Sequence, residues 1–107
     1  MNKKINPQAM QIAACLHDWL EHHVSSIKAC SRHTLRNYHV SMTLYAEFLR
    51  TVKGITPETL NADCFCKKNI EKWIIWMKKV RNCSSATCNV RLSALRAFLK
   101  YLSLIHI

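Results

Sequence analysis

A chain of 107 residues has room for one domain with one modest core. Half of its residues are hydrophobic, which excludes a disordered chain, and one Gly with two Pro excludes the many tight turns of an all-β fold, so an all-α protein is expected. Sixteen Lys and Arg against six acids give a formal charge of +10, which makes nucleic acid the default partner and a membrane surface its competitor.

Residues 1–6 are expected to form a flexible basic arm, in which Asn6 caps a helix that starts at Pro7, where a missing N–H costs nothing. That helix runs to about Val24. Ile12, Cys15, Leu16, Trp19, Leu20 and His23 recur at three- and four-residue steps and mark its core face, while Asp18, Glu21 and His22 lie toward the other side. It holds no Lys or Arg and is not expected to be the main ligand surface. His22 and His23 sit at its end, where a protonated imidazole favours the helix dipole.

Ser25 to Cys30 reads as a loop. Ser31 opens a second helix that ends at Lys53, with Gly54 just beyond it, where left-handed backbone is cheapest for Gly. Leu35, Tyr38, Met42, Tyr45, Leu49 and Val52, with Phe48 alongside, form its core stripe. Arg32, Arg36, His39, Thr43 and Arg50 form its polar stripe, and Glu47 is its only acid. After the turn Thr56-Pro57-Glu58-Thr59, Asp63 is expected to cap a third helix reaching about Lys79. Ile70, Trp73, Ile74 and Met77 make its buried line, and Lys67, Lys68, Lys72, Lys78 and Lys79 crowd the remainder.

Val80 to Cys83 connects to the fourth helix, Ser84 to Ser103, with Ser84 or Ser85 as its cap. Cys88, Leu92, Leu95, Leu99 and Leu102 fall on one side, with Ala94, Phe98 and Tyr101 widening the apolar arc. The opposite stripe is Asn89, Ser93, Arg96, Lys100 and Ser103, and the segment contains no acid. Solvated helix faces usually mix signs, because Glu–Lys pairs four apart add support, so this stripe suggests a polyanionic partner. Arg91 is the exception, projecting to the apolar side of the wheel. Leu104 to Ile107 form an apolar tail, either the start of a linker or a segment that docks on the domain.

The six cysteines lie in or beside amphipathic segments, and the Lys3-Lys4 start is followed by Pro7, Asp18 and Glu21, unlike a secretory leader. Reduced thiols in a cytoplasmic protein are expected. No apolar run is long enough to cross a bilayer. Cys64-x-Cys66 lacks the second ligand pair of a zinc site, a single glycine cannot build a phosphate loop, and the acids form no pair at catalytic spacing. No metal and no cofactor are expected, and the chain reads as a binder, not a catalyst. Trp19 and Trp73 fall on core stripes, while Trp76 is left between packing and base stacking.

The run Ser31-Arg32-His33-Thr34-Leu35-Arg36-Asn37-Tyr38, followed by Phe48-Leu49, and the run Ser85-Ala86-Thr87-Cys88-Asn89-Val90-Arg91-Leu92-Ser93-Ala94-Leu95-Arg96-Ala97-Phe98-Leu99-Lys100-Tyr101-Leu102 resemble the N-terminal core-binding domain of tyrosine recombinases, the phage integrase group. The similarity covers about Leu16 to Leu102. It implies a compact four-helix, SAM-like bundle with helices near 7–24, 31–53, 63–79 and 84–103. Such a bundle clamps one side of a recombination site, while a separate C-terminal domain, expected beyond Ile107, cuts and rejoins DNA through a tyrosine. Tyr101 matches the end of the binding domain instead.

The resemblance also implies that the second and fourth helices face duplex DNA. The second would offer Arg32, His33, Thr34, Arg36 and Asn37, and the fourth Ser85, Thr87, Asn89, Arg91, Ser93, Arg96 and Lys100, mostly to phosphates. The lysine-rich third helix departs from that expectation. The isolated domain is expected to be a monomer, oligomeric on DNA only with the catalytic domain. A rival reading, from another class, is a protein-interaction module that docks through Leu104 to Ile107 and Trp76. A membrane role is disfavoured, because the basic helices keep their best apolar faces for the core.

Overall fold

Short polar residues decide where the helices begin. Ser31 sits in extended backbone and its Oγ accepts the Thr34 N–H at 3.1 Å; Ser84 does the same for the Thr87 N–H at 3.1 Å. Each satisfies one orphan donor of a first turn, an effect worth about 1 kcal/mol. At the other end of the second helix Gly54 adopts φ 67° and its N–H closes on the Leu49 carbonyl. The computed structural model describes residues 7–24 and 31–106, with side chains as far as Ser103. The expected arm at 1–6, the loop at 25–30 and the side chains of the tail lie outside that range.

The elements are α1 (Pro7–Asp18), continued by a π-helical turn (Trp19–His23), α2 (Arg32–Lys53), 3₁₀ turns at Pro57–Thr59 and Ala62–Phe65, α3 (Lys67–Lys79) and α4 (Ser85–His106). Among the described residues there is no strand, and the fold is all-α, as expected. α4 runs three residues beyond Ser103, to His106.

Three expectations need correction. Asp63 does not cap α3. Asn61 caps a 3₁₀ turn instead, its Oδ1 accepting the Cys64 N–H at 3.2 Å, which draws Asp63 into that turn. α3 then starts at Lys67, after Cys66 in extended backbone. His23 is exposed and not part of the core stripe, because the Val24 N–H bonds the Trp19 carbonyl five residues back. The wider turn brings Val24, not His23, under Trp19 onto the core side. Val52 is 51 % exposed, in the last turn of α2 just before the chain leaves the helix at Gly54.

Aromatic rings fill the centre. Trp19 stacks on Tyr38 at 5.0 Å between centroids and meets Phe98 at 5.3 Å. Tyr45 lies edge-on to Trp73 at 5.0 Å, stacks on Phe65 at 5.5 Å, and its hydroxyl donates to the Cys64 carbonyl. Trp76 is half-buried against Phe48 at 5.8 Å, with the Arg81 guanidinium 5.6 Å above its ring. Cys15, Cys64 and Cys88 are buried members of this core, and the described cysteines are free thiols. Burial, helped by Asp18, pushes the Cys15 thiol up.

Burial also raises the Tyr45 phenol well above its ordinary value, with Cys64 and Cys66 acting in the same direction. The unfolded chain releases that proton near pH 10 and the fold retains it, so this stability is complete below pH 10 and lost as pH rises beyond it. Urea unfolding at a series of pH values should show Tyr45→Phe removing a fall of about 1 kcal/mol per pH unit above pH 10. Identical alkaline slopes in the two proteins would refute the assignment.

Candidate nucleic-acid interface

α2 and α4 pack directly on one another. Tyr38 shares a cleft of about 310 Å³ with Ala97, Lys100 and Tyr101, whereas Glu47 pairs with Arg81, just ahead of α4. The two helices therefore run antiparallel. The start of α2, with Arg32, His33 and Arg36, lies toward the Lys100 end of α4, and Ser85 and Asn89 lie at the opposite end. At 1.5 Å per residue the two groups are separated by roughly 20 Å along the helices.

The α4 stripe forms as the periodicity predicts, with Asn89, Ser93, Arg96, Lys100 and Ser103 all exposed. The Ser93 hydroxyl donates to the Asn89 carbonyl at 2.9 Å, so its proton is already used. Thr34 and Thr87 are half-buried, their hydroxyls in contact with Ser31 and Ser84 at 3.0 Å each. Arg32, His33, Arg36, Ser85, Asn89, Ser93, Arg96 and Lys100 are the exposed members of the expected set. Asn37 is half-buried and its carbonyl accepts the Ser41 hydroxyl.

Arg91 stands apart. It is half-buried on the core side of α4, and its Nε, but neither terminal nitrogen, is both buried and without a hydrogen-bond partner.

Apart from Glu71 of α3, which lines a groove with Arg96, the acids leave these surfaces positive. α4 has none in its first turn and neither has α2. Glu47, the single acid of α2, is held by Arg81, which also covers Trp76. Glu21 reaches His39 at 3.9 Å, an ion pair when the imidazole is protonated. An exposed pair of the Glu47–Arg81 kind adds little stability, and its larger effect is to neutralise a charge that would repel a polyanion. Nothing local in the sequence marks Arg81, because the two residues are 34 positions apart.

Lys67 of α3 was also hidden in the sequence. It lines a groove of about 360 Å³ with Arg96, Leu92 and Glu71, so part of the third helix adjoins the α4 stripe. Among the described residues no three His, Cys, Asp or Glu side chains gather to hold a metal ion, and no helix is long and apolar enough to cross a membrane.

A family model, phage integrase N-terminal SAM-like domain, matches residues 16–104. No curated protein and no solved structure matches the chain.

Proposed function

The chain belongs to the phage integrase N-terminal SAM-like domain family, and from that premise we propose that it binds duplex DNA through α2 and α4 as the non-catalytic part of a tyrosine recombinase. The observation that carries this reading is the exposed, acid-free stripe of α4, with Arg96 and Lys100 on it, packed beside a helix whose one acid is already neutralised. The helix starts support it, since both first turns lack acids and present backbone N–H groups of the kind that phosphates accept.

Arg32, His33, Arg36, Arg96 and Lys100 take phosphates in this account, and Asn89 and Ser85 reach toward the groove. Thr34, Asn37, Thr87 and Ser93 hold the local backbone and position the helix starts, while Arg91 contributes through its terminal nitrogens. The domain acts as a monomer when alone and joins others on DNA through the catalytic domain. The rival protein-docking reading loses one of its two supports, because Trp76 is covered by Phe48 and Arg81.

A spread of roughly 20 Å suits about four to six phosphates, at one charge per 1.7 Å of duplex axis with contacts on one side only. Fluorescence anisotropy with a labelled duplex should therefore give a log–log salt slope of roughly −4 to −5. A flat dependence, or no binding at low salt, would refute the proposal.

A further inference from the structure

The short connection at 80–84 turns the chain back on itself, so that the start of α3 comes level with the middle of α4. Between the two helices lies a groove of about 360 Å³, walled by Lys67, Ile70, Glu71 and Ile74 of α3 and by Leu92 and Arg96 of α4. Lys67, Glu71 and Arg96 are exposed at its rim, and half-buried Ile70, Ile74 and Leu92 form its floor. Neither cation is spent on Glu71: the ion pairs among the described residues are Glu21–His39 and Glu47–Arg81. Glu71 follows Lys67 by one helical turn, so the groove is positive at its Lys67 and Arg96 end and less so beyond it. The floor offers no side-chain donor or acceptor, hence nothing that reads a base edge.

We propose that one strand of duplex DNA crosses the groove at that end, with successive phosphates on Lys67 and Arg96 and the deoxyribose between them against Ile70 and Leu92. A DNA strand alternates an anionic phosphate with a sugar whose ring carbons are apolar, and two cations flanking an aliphatic floor match that alternation. Glu71 repels the next phosphate and keeps the strand from following α3 further. Such a contact fixes position and carries no sequence information. The inference rests on the DNA-binding reading above and extends it to a third helix, through a residue that neither the α4 stripe nor the resemblance assigns. Lys68, equally exposed but outside the groove, has no part in it.

Fluorescence anisotropy of the full chain with labelled duplexes of two unrelated sequences, over a series of salt concentrations, tests it. Lys67→Gln should flatten the log–log slope by about 0.9 and weaken both duplexes alike, and Lys67→Gln/Arg96→Ala should flatten it by about 1.8, while Lys68→Gln leaves it as in the parent. Glu71→Gln should tighten binding about threefold at low salt. An unchanged slope in Lys67→Gln, or an equal change in Lys68→Gln, would reduce Lys67 to diffuse surface charge, and an unchanged affinity in Glu71→Gln would move the strand off the groove. Either result overturns the inference, while a steep slope in the parent leaves the DNA-binding reading standing. A Lys67→Gln loss confined to one of the two sequences would overturn the backbone assignment. A flat slope in the parent would overturn the inference together with the reading it rests on.

Discussion

Replacing Trp73 by alanine is expected to destabilise the domain by about 3–5 kcal/mol, a large part of what holds a protein of this size together. The indole is fully buried at the meeting of α2 and α3, edge-on to Tyr45. Its removal leaves a cavity beneath the Tyr45 ring, whose hydroxyl fixes the Cys64 carbonyl and hence the 3₁₀ turn ahead of α3. Loss of packing at one ring thus loosens the connection that places α3. Its Nε1 has no hydrogen-bond partner, so Trp73→Phe keeps much of the volume, removes an unsatisfied donor and should cost clearly less. Urea unfolding of both variants decides the matter, and a Trp73→Ala cost below about 1 kcal/mol would show that this ring is not central to the core.

The second large effect is on binding. Arg96→Ala/Lys100→Ala removes two exposed cations of one stripe, at positions four residues apart on α4. Each lost phosphate contact flattens the log–log salt slope by about 0.9, so the double variant should be shallower by about 2 and weaker by one to two orders of magnitude at low salt, roughly. Stability should stay within about 0.5 kcal/mol of the parent, because neither side chain packs in the core. Anisotropy titrations at several salt concentrations read the slope. An unchanged slope would remove the α4 stripe from the interface.

Features set by adjacent residues were legible in the sequence. Ser31, Gly54 and Ser84 mark helix ends through their own hydrogen bonds or backbone angle, and the 3.6-residue period places Cys88, Leu95 and Phe98 inside and Asn89, Arg96 and Lys100 outside. The departures come from geometry that such a period does not contain. The π-turn at Trp19–His23 changes the residue count per turn and puts His23 outside. Asn61 outcompetes Asp63 as a cap because a 3₁₀ turn intervenes.

The candidate site divides in the same way. The stripe on α4 follows from one helix alone, but the neutralisation of Glu47 by Arg81 and the approach of Lys67 to Arg96 each need two elements packed together. Arg91 illustrates the limit. The wheel places it on the apolar side, and only the packed structure shows that the residue is half-buried with its Nε enclosed and without a hydrogen-bond partner.

The central claim, that α2 and α4 are the helices that meet DNA, is tested most directly by amide and arginine side-chain NMR of the domain titrated with a short duplex at low salt. The account predicts that the largest shifts fall on Arg32, His33 and Arg36 at the start of α2 and on Ser85, Asn89, Arg96 and Lys100 along α4, while Met10, Ala13 and Ala14 on the outer face of α1 stay unmoved. Shifts concentrated on α1, with the α4 stripe silent at saturation, would contradict it.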